Sequence, residues 1–255
     1  MSQVLALAAA AAAALPPICA DRPAKATGTC TVPTGMLQLE TGLADWSLAK
    51  SEGVRSDLFV IGSSVLKLGV GSRSDVEIGF TPYARLRLRS DGSRSTISGI
   101  GDISLRYKWR PTSDDAPVQV AVIPFVKFPT AAHDIGNGKL EGGVAVPIGF
   151  ALAGPVSMTL GPEADLLADA NGHGKHLALV NVVNVAGPLT RRLTLAGELW
   201  NNFNFDPAGT VRQASADAAL AYAASNDIQV DAGANLGLSR ATPDVELYAG
   251  ISARF

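Results

Sequence analysis

The sequence is short of the residues that announce chemistry. Its 255 residues include three histidines and two cysteines. It has no Gly-x-Ser-x-Gly, no His-Glu-x-x-His, no Walker loop and no Cys-x-x-Cys. His173 and His176 in "NGHGKH" have a spacing that could seat a metal, but Asp169 is their one acidic neighbour in a Gly-rich loop, and His133 sits in another loop. Both places read as solvated loops, so no enzyme activity, metal or cofactor is expected. Charge is also scarce: charged residues are 17% and the formal net charge is -2, which gives no basic surplus to hold nucleic acid. No apolar run reaches the roughly 20 residues that a membrane-crossing helix needs. Aromatic residues, at 6%, are few for an interfacial girdle.

Apolar residues and glycine are plentiful, at 47% and 26 respectively. At the amino end, "MSQVLALAAAAAAALPPICA" carries an apolar run from Val4 to Leu15 that suits a signal peptide over residues 1–14. Cleavage would follow Ala12-Ala13-Ala14, with an alternative after Ala20. The usual positive start of such a peptide is missing, since Met-Ser-Gln brings no basic side chain. Cleavage before Leu15 would carry both Cys19 and Cys30 into an oxidising compartment. A bridge between them would stabilise the segment by roughly 3 kcal/mol through loop entropy. Cleavage after Ala20 would leave Cys30 alone. Residues 15–35 are expected to form a periplasmic segment with this disulfide loop, ahead of a domain over 36–255.

From Met36 onward the pattern has period two, broken by Gly, Asp, Asn, Ser and Pro clusters. Twelve strands are predicted, at 36–47, 57–68, 75–89, 101–110, 118–128, 140–152, 156–168, 176–187, 192–203, 213–224, 227–239 and 245–255. In "GDISLRYKWR", Ile103, Leu105, Tyr107 and Trp109 alternate with Asp102, Ser104, Arg106, Lys108 and Arg110. Strands this long exceed the usual five or six residues of soluble sheets, and about ten tilted residues span a hydrocarbon layer. Connections after odd-numbered strands are mostly longer and more polar than those after even-numbered ones. A barrel with extracellular loops on one rim and periplasmic turns on the other predicts that alternation. The expected fold is therefore all-β, a single antiparallel transmembrane β-barrel of about 12 strands in a bacterial outer membrane. A secreted soluble β-sandwich is the alternative.

The closing "VELYAGISARF" fits a strand that pairs back to the first. Its Tyr248, Gly250 and Phe255 resemble the terminal signal that such barrels present to their assembly machinery, with Ala253 smaller than usual for that signal. An Arg or Lys turned to lipid at mid-depth costs on the order of 2 to 4 kcal/mol. The polar strand faces should therefore line the lumen: Glu40, Glu77, Arg85, Arg87, Asp102, Arg106, Lys108, Arg110, Glu163, Asp165, Glu198, Asp217, Asp231, Glu246 and Arg254. One permitted register of the third and fourth strands sets Arg85 opposite Asp102 and Glu77 opposite Arg110. The mixed-sign ladder so formed would either bias small solutes in a narrow aqueous path or neutralise itself and plug the barrel.

At "CADRPAKATGTCTVPTGMLQLETGLADW" and "GIGDISLRYKWR" the chain resembles the outer-membrane family labelled "putative MetA-pathway of phenol degradation", also called a transporter family. The cysteines around "DRPAKATGT", the "TVPTG" entry to the first strand and the Gly-Asp opening of a strand bearing Lys108 carry the likeness. It implies an outer-membrane barrel and points to hydrophobic or aromatic compounds among the solutes. Expected partners are outer-membrane lipid, the assembly machinery and a small-molecule solute.

Overall fold

The computed structural model describes residues 15–51 and 53–255. The expected signal peptide, residues 1–14, lies outside the described residues. Twelve strands run in chain order and none of the described residues is helical. They are β1 (Leu37–Ser51), β2 (Val54–Ile61 with Ser63–Gly71), β3 (Ser74–Phe80 with Tyr83–Ser90) and β4 (Ser93–Gly99 with Ile103–Trp109). Next come β5 (Val118–Val120 with Ile123–Phe128), β6 (Glu141–Ala145 with Ile148–Ala153) and β7 (Val156–Leu160 with Glu163–Ala168). The last five are uninterrupted: β8 (Lys175–Pro188), β9 (Leu193–Asn204), β10 (Val211–Ala223), β11 (Ile228–Gly237) and β12 (Val245–Arg254).

Each strand pairs antiparallel with its chain neighbours, and β12 closes on β1 from Gln38↔Arg254 to Leu48↔Val245. Beyond the ladder, Phe255 and Leu37 exchange backbone hydrogen bonds of 2.8 and 3.1 Å. Closure removes the free sheet edges that would otherwise have to find a partner.

Which face carries the apolar residues decides between a barrel and a sandwich. On β2, Lys67 is 2% exposed between Leu66 at 38% and Leu68 at 41%. Leu105, Tyr107 and Trp109 are likewise exposed on β4, while Lys108 is buried. A soluble sandwich would bury the leucines and expose the lysine. Here the greasy side faces outward, where hydrocarbon must cover it, which is the architecture of an outer-membrane barrel. The sandwich alternative is thereby overturned.

Two expectations about connections need correction. The stretch "SDGSRSTISGI" was expected as a loop, but Ser93–Gly99 is strand, joined to β3 by a tight turn at Asp91-Gly92. Both turn residues have positive φ, 37° and 82°, as a two-residue hairpin of twisted strands requires. The tip between β1 and β2 is similarly short, so these two hairpins rise as ordered wall.

A line of irregularities crosses β1 to β4 at one height. β1 has a bulge between Gly42 and Ala44, and Gly62 N–H donates to Gly42 O at 2.8 Å. β3 breaks at Thr81-Pro82, and Gly101 N–H of the β4 break donates to Thr81 O at 2.8 Å. Gly62 has φ +72° and packs under the Pro82 ring, where a Cβ would collide. Each break shifts alternation by one residue, and a one-residue shift turns every following side chain to the other face. Below the line Val76 and Ile78 face out and Asp75 and Glu77 face in. Above it, Ala84 and Leu86 face in with Leu58 and Val60, and Arg85 and Arg87 face out.

Candidate functional site: a lumen holding the N-terminal segment

Residues 15–35 are expected as a periplasmic segment. Residues 18–33 lie inside the barrel instead, because the inward charges of the wall find their counter-charges there. The segment enters at the rim formed by the even-to-odd turns: Ile18 N–H donates to Asn226 O at 2.6 Å, and Arg254 Nη2 donates to Pro16 O at 2.7 Å. It leaves at the same rim into β1 at Leu37. Cys19 and Cys30 are joined in a disulfide that closes the segment's loop.

Asp21 sits at the centre. Its carboxylate accepts from Lys108 Nζ at 2.8 and 2.9 Å, from Lys67 Nζ, and from Gly28 N–H at 2.8 Å. Glu40 receives Lys67 Nζ at 2.5 Å and the backbone N–H groups of Asp21 and Arg22 at 3.0 Å each. Glu77 has Arg106, Lys108 and Lys67 at 3.4, 3.6 and 3.8 Å. Burial alone would raise the Asp21 pKa, but Lys108 and Lys67 outweigh it and hold the carboxyl well below the usual carboxylate range. Val32 N–H donates to Asp75 at 2.8 Å and seats the segment's far end.

On the opposite wall the acids meet the segment's own two cations. Arg22 donates to Asp231 at 2.8 and 3.3 Å and lies 6.0 Å over the Tyr248 ring. Lys25 Nζ donates to Asp217 at 2.8 Å and sits 5.2 Å over Trp200. Glu198 accepts the Lys25 and Ala26 backbone N–H groups at 2.8 and 2.9 Å. At Gly250 the Arg22 guanidinium occupies the space a Cβ would take, which explains why this position is bare.

The remaining sequence-predicted residues are spread around these contacts. Asp102 accepts from Lys127 Nζ at 2.9 Å. Glu163 borders a cavity of about 350 Å³ shared with Lys25 and Arg106. Asp165 stands across from Gly143, and Glu246 accepts from Asn235 at 2.6 Å. Arg110 and Arg254 lie at the entry rim, paired with Asp114 and Asp227. Two expectations fail: Arg85 and Arg87 are on the outer wall, because the break at Thr81-Pro82 reverses the face. The expected register fails too, since Glu77 faces Arg106 and Arg85 faces Ser98. His176 is no loop residue but the second residue of β8, with its Nδ1 2.9 Å from Asp169 and 3.6 Å from Asp206. Among the described residues no group of three His, Cys, Asp or Glu could hold a metal.

Sequence reasoning missed Asp21, Arg22, Lys25 and Lys67. A signal for Arg22 and Lys25 was present: β9 to β12 turn Glu198, Asp217, Asp231 and Glu246 inward with no basic residue among them until Arg254 at the rim. Cations from elsewhere had to meet them, and "DRPAK" is where they are.

Above the segment lies a second chamber of different character. A cavity of about 370 Å³ is lined by Leu58, Val60, Ala84, Leu86 and Ile135 and also by the polar Asp45, Ser63, Thr81 and Asp134. The lumen thus has an ionic lower storey, occupied by the segment, and an upper cavity of mixed apolar and polar lining.

The family described as "Putative MetA-pathway of phenol degradation" matches residues 20–255. Among solved structures, an outer-membrane channel from Pseudomonas putida F1 has a TM-score of 0.71 at 13% identity, with 91% of this chain and 100% of that chain covered. The translocator domain of autotransporter NalP from Neisseria meningitidis gives 0.54 at 13%, covering 88% and 90%. The NanC porin gives 0.53 at 11%, covering 85% and 98%. At such identities these likenesses concern the fold. No curated protein matches the sequence.

Proposed function

The chain belongs to the family described as "Putative MetA-pathway of phenol degradation", and from that membership and the lumen's geometry we propose an outer-membrane channel for passive passage of small solutes, hydrophobic or aromatic ones included. The observation that carries this reading is the upper cavity of about 370 Å³, with Leu58, Val60, Ala84, Leu86 and Ile135 in its wall, standing over an ionic plug. Apolar walls give a sparingly polar solute somewhere to partition, while the plug denies a wide aqueous path to ions and sugars. The reading needs no cofactor and no catalytic residue. Residues 1–14 would be a signal peptide removed on export, and Tyr248, Gly250 and Phe255 a signal to the barrel assembly machinery.

The test is swelling of liposomes carrying refolded protein, with solutes graded in size and polarity. Phenol-sized aromatic solutes should enter faster than sugars of similar mass. Equal rates for both, or swelling no faster than protein-free liposomes even without residues 15–33, would overturn the proposal. The second of those results would favour a closed structural barrel, a reading to which the ion pairs filling the lower lumen already lend support.

A further inference from the structure

The outward arginines that left the lumen form a patch with a sharp pattern. The strand register sets four cations side by side across four strands in the topmost row, Lys50–Arg55–Arg89–Arg94. The row two residues lower is Leu48–Asp57–Arg87–Thr96, and the next is Trp46–Phe59–Arg85–Ser98. The outer face therefore holds six cations against Asp57, which among the described residues makes the patch's one ion pair, with Arg55 at 2.8 Å. Arg89 Nε is buried and has no hydrogen-bond partner among the described residues. Like charges directly opposite one another in a sheet repel, and Asp57 is the one carboxylate described against six cations.

The height of the patch says what faces it. In its lowest row the outer face turns aromatic, with Trp46 and Phe59 and then Tyr83 beneath, and Arg85 lies 5.8 Å over the Phe59 ring. Below that it is aliphatic, with exposed Leu66, Ile78 and Leu105. Aromatic rings mark the level where hydrocarbon meets headgroups. The cation rows span four residues above that level, about 10 Å of height at the usual rise and tilt. That is the depth at which the outer leaflet presents phosphate.

We propose that this wall of β1 to β4 is a binding site for the phosphate groups of the outer leaflet's anionic glycolipid. Guanidinium forks pair phosphate oxygens bidentately, and the rows offer several forks within one headgroup's reach. The site rests on the membrane placement of the barrel but not on what passes through it. A barrel inactive in the swelling assay could still carry it.

Binding of fluorescent bisphosphorylated lipid A to detergent-refolded full-length protein tests this. The wild-type protein should bind it at least tenfold more tightly than the Arg87→Gln/Arg89→Gln/Arg94→Gln variant. Affinity should fall steeply with salt, and fully dephosphorylated lipid A should bind at least tenfold more weakly to wild type, an arm that needs no variant. Arg191→Gln/Arg192→Gln, at the opposite rim, should bind as wild type does. Equal binding of the phosphate-free glycolipid, or no loss in a triple variant whose circular dichroism is native, would overturn the site. Displacement of lipid A by millimolar inorganic phosphate would also overturn it, by showing a general anion patch.

Discussion

Replacing Asp21 by Asn keeps the side chain's shape and removes the charge that ties the N-terminal segment to the wall. Two ammonium groups lose a charged acceptor: Lys108, at 2.8 Å, and Lys67, which retains Glu40 at 2.5 Å. Hydrogen bonds to charged groups contribute about 1.5–3 kcal/mol each, and breaking a buried ion pair from one side costs about 3–5 kcal/mol. A loss of about 4 kcal/mol in docking shifts the ratio of docked to withdrawn segment by nearly a thousandfold. The backbone ladder of the barrel is untouched, so the wall itself should remain folded. In planar bilayers, single channels of the Asp21→Asn protein should spend a much larger fraction of time in a high-conductance state. A chain lacking residues 15–33 fixes the conductance of that state. If that deletion raises conductance while Asp21→Asn gates within twofold of wild type, the ionic cluster does not hold the segment and the reasoning fails.

The same carboxyl sets a pH response. Its pKa in the docked segment lies below the ordinary 3.8, so its stabilisation is complete above that value and is lost as pH falls through the depressed one. Conductance should be flat between about pH 5 and 7 and rise below about pH 4; a rise on the alkaline side instead would contradict this sign. Gly250→Ala should push out the Arg22 guanidinium, costing about 1–3 kcal/mol of docking, visible as faster proteolysis of the segment with the barrel intact. Cys19→Ser/Cys30→Ser should weaken docking by about 3 kcal/mol, and an unchanged open probability would show that the loop is pre-ordered without its bridge.

Twelve strands were legible because alternation and turn clusters are local, and lipid on one side with charge on the other enforces them over long runs. What failed was parity. From Val76 to Leu88 the sequence alternates without a fault, yet the chain spends one residue at Thr81-Pro82 and the faces exchange. A period-two pattern is blind to such a bulge, because both halves remain internally regular. Pro82, unable to donate to a ladder, was the local hint. Register was illegible for a related reason: Glu77 can be written opposite Arg106 or Arg110 with charges paired either way. The lumen segment has no periodicity at all. It could be reached only by counting the acids of β9 to β12 and asking what neutralised them.

The segment's two ends meet at one rim, between Asn226 and Phe255. It is therefore a loop pushed into a cup rather than a thread drawn through a ring. It can slide out without unzipping any seam, and afterwards it stays leashed to β1. Return is a first-order event whose rate is set by a short tether and not by how much protein the membrane holds. A closure built this way resets itself after each excursion.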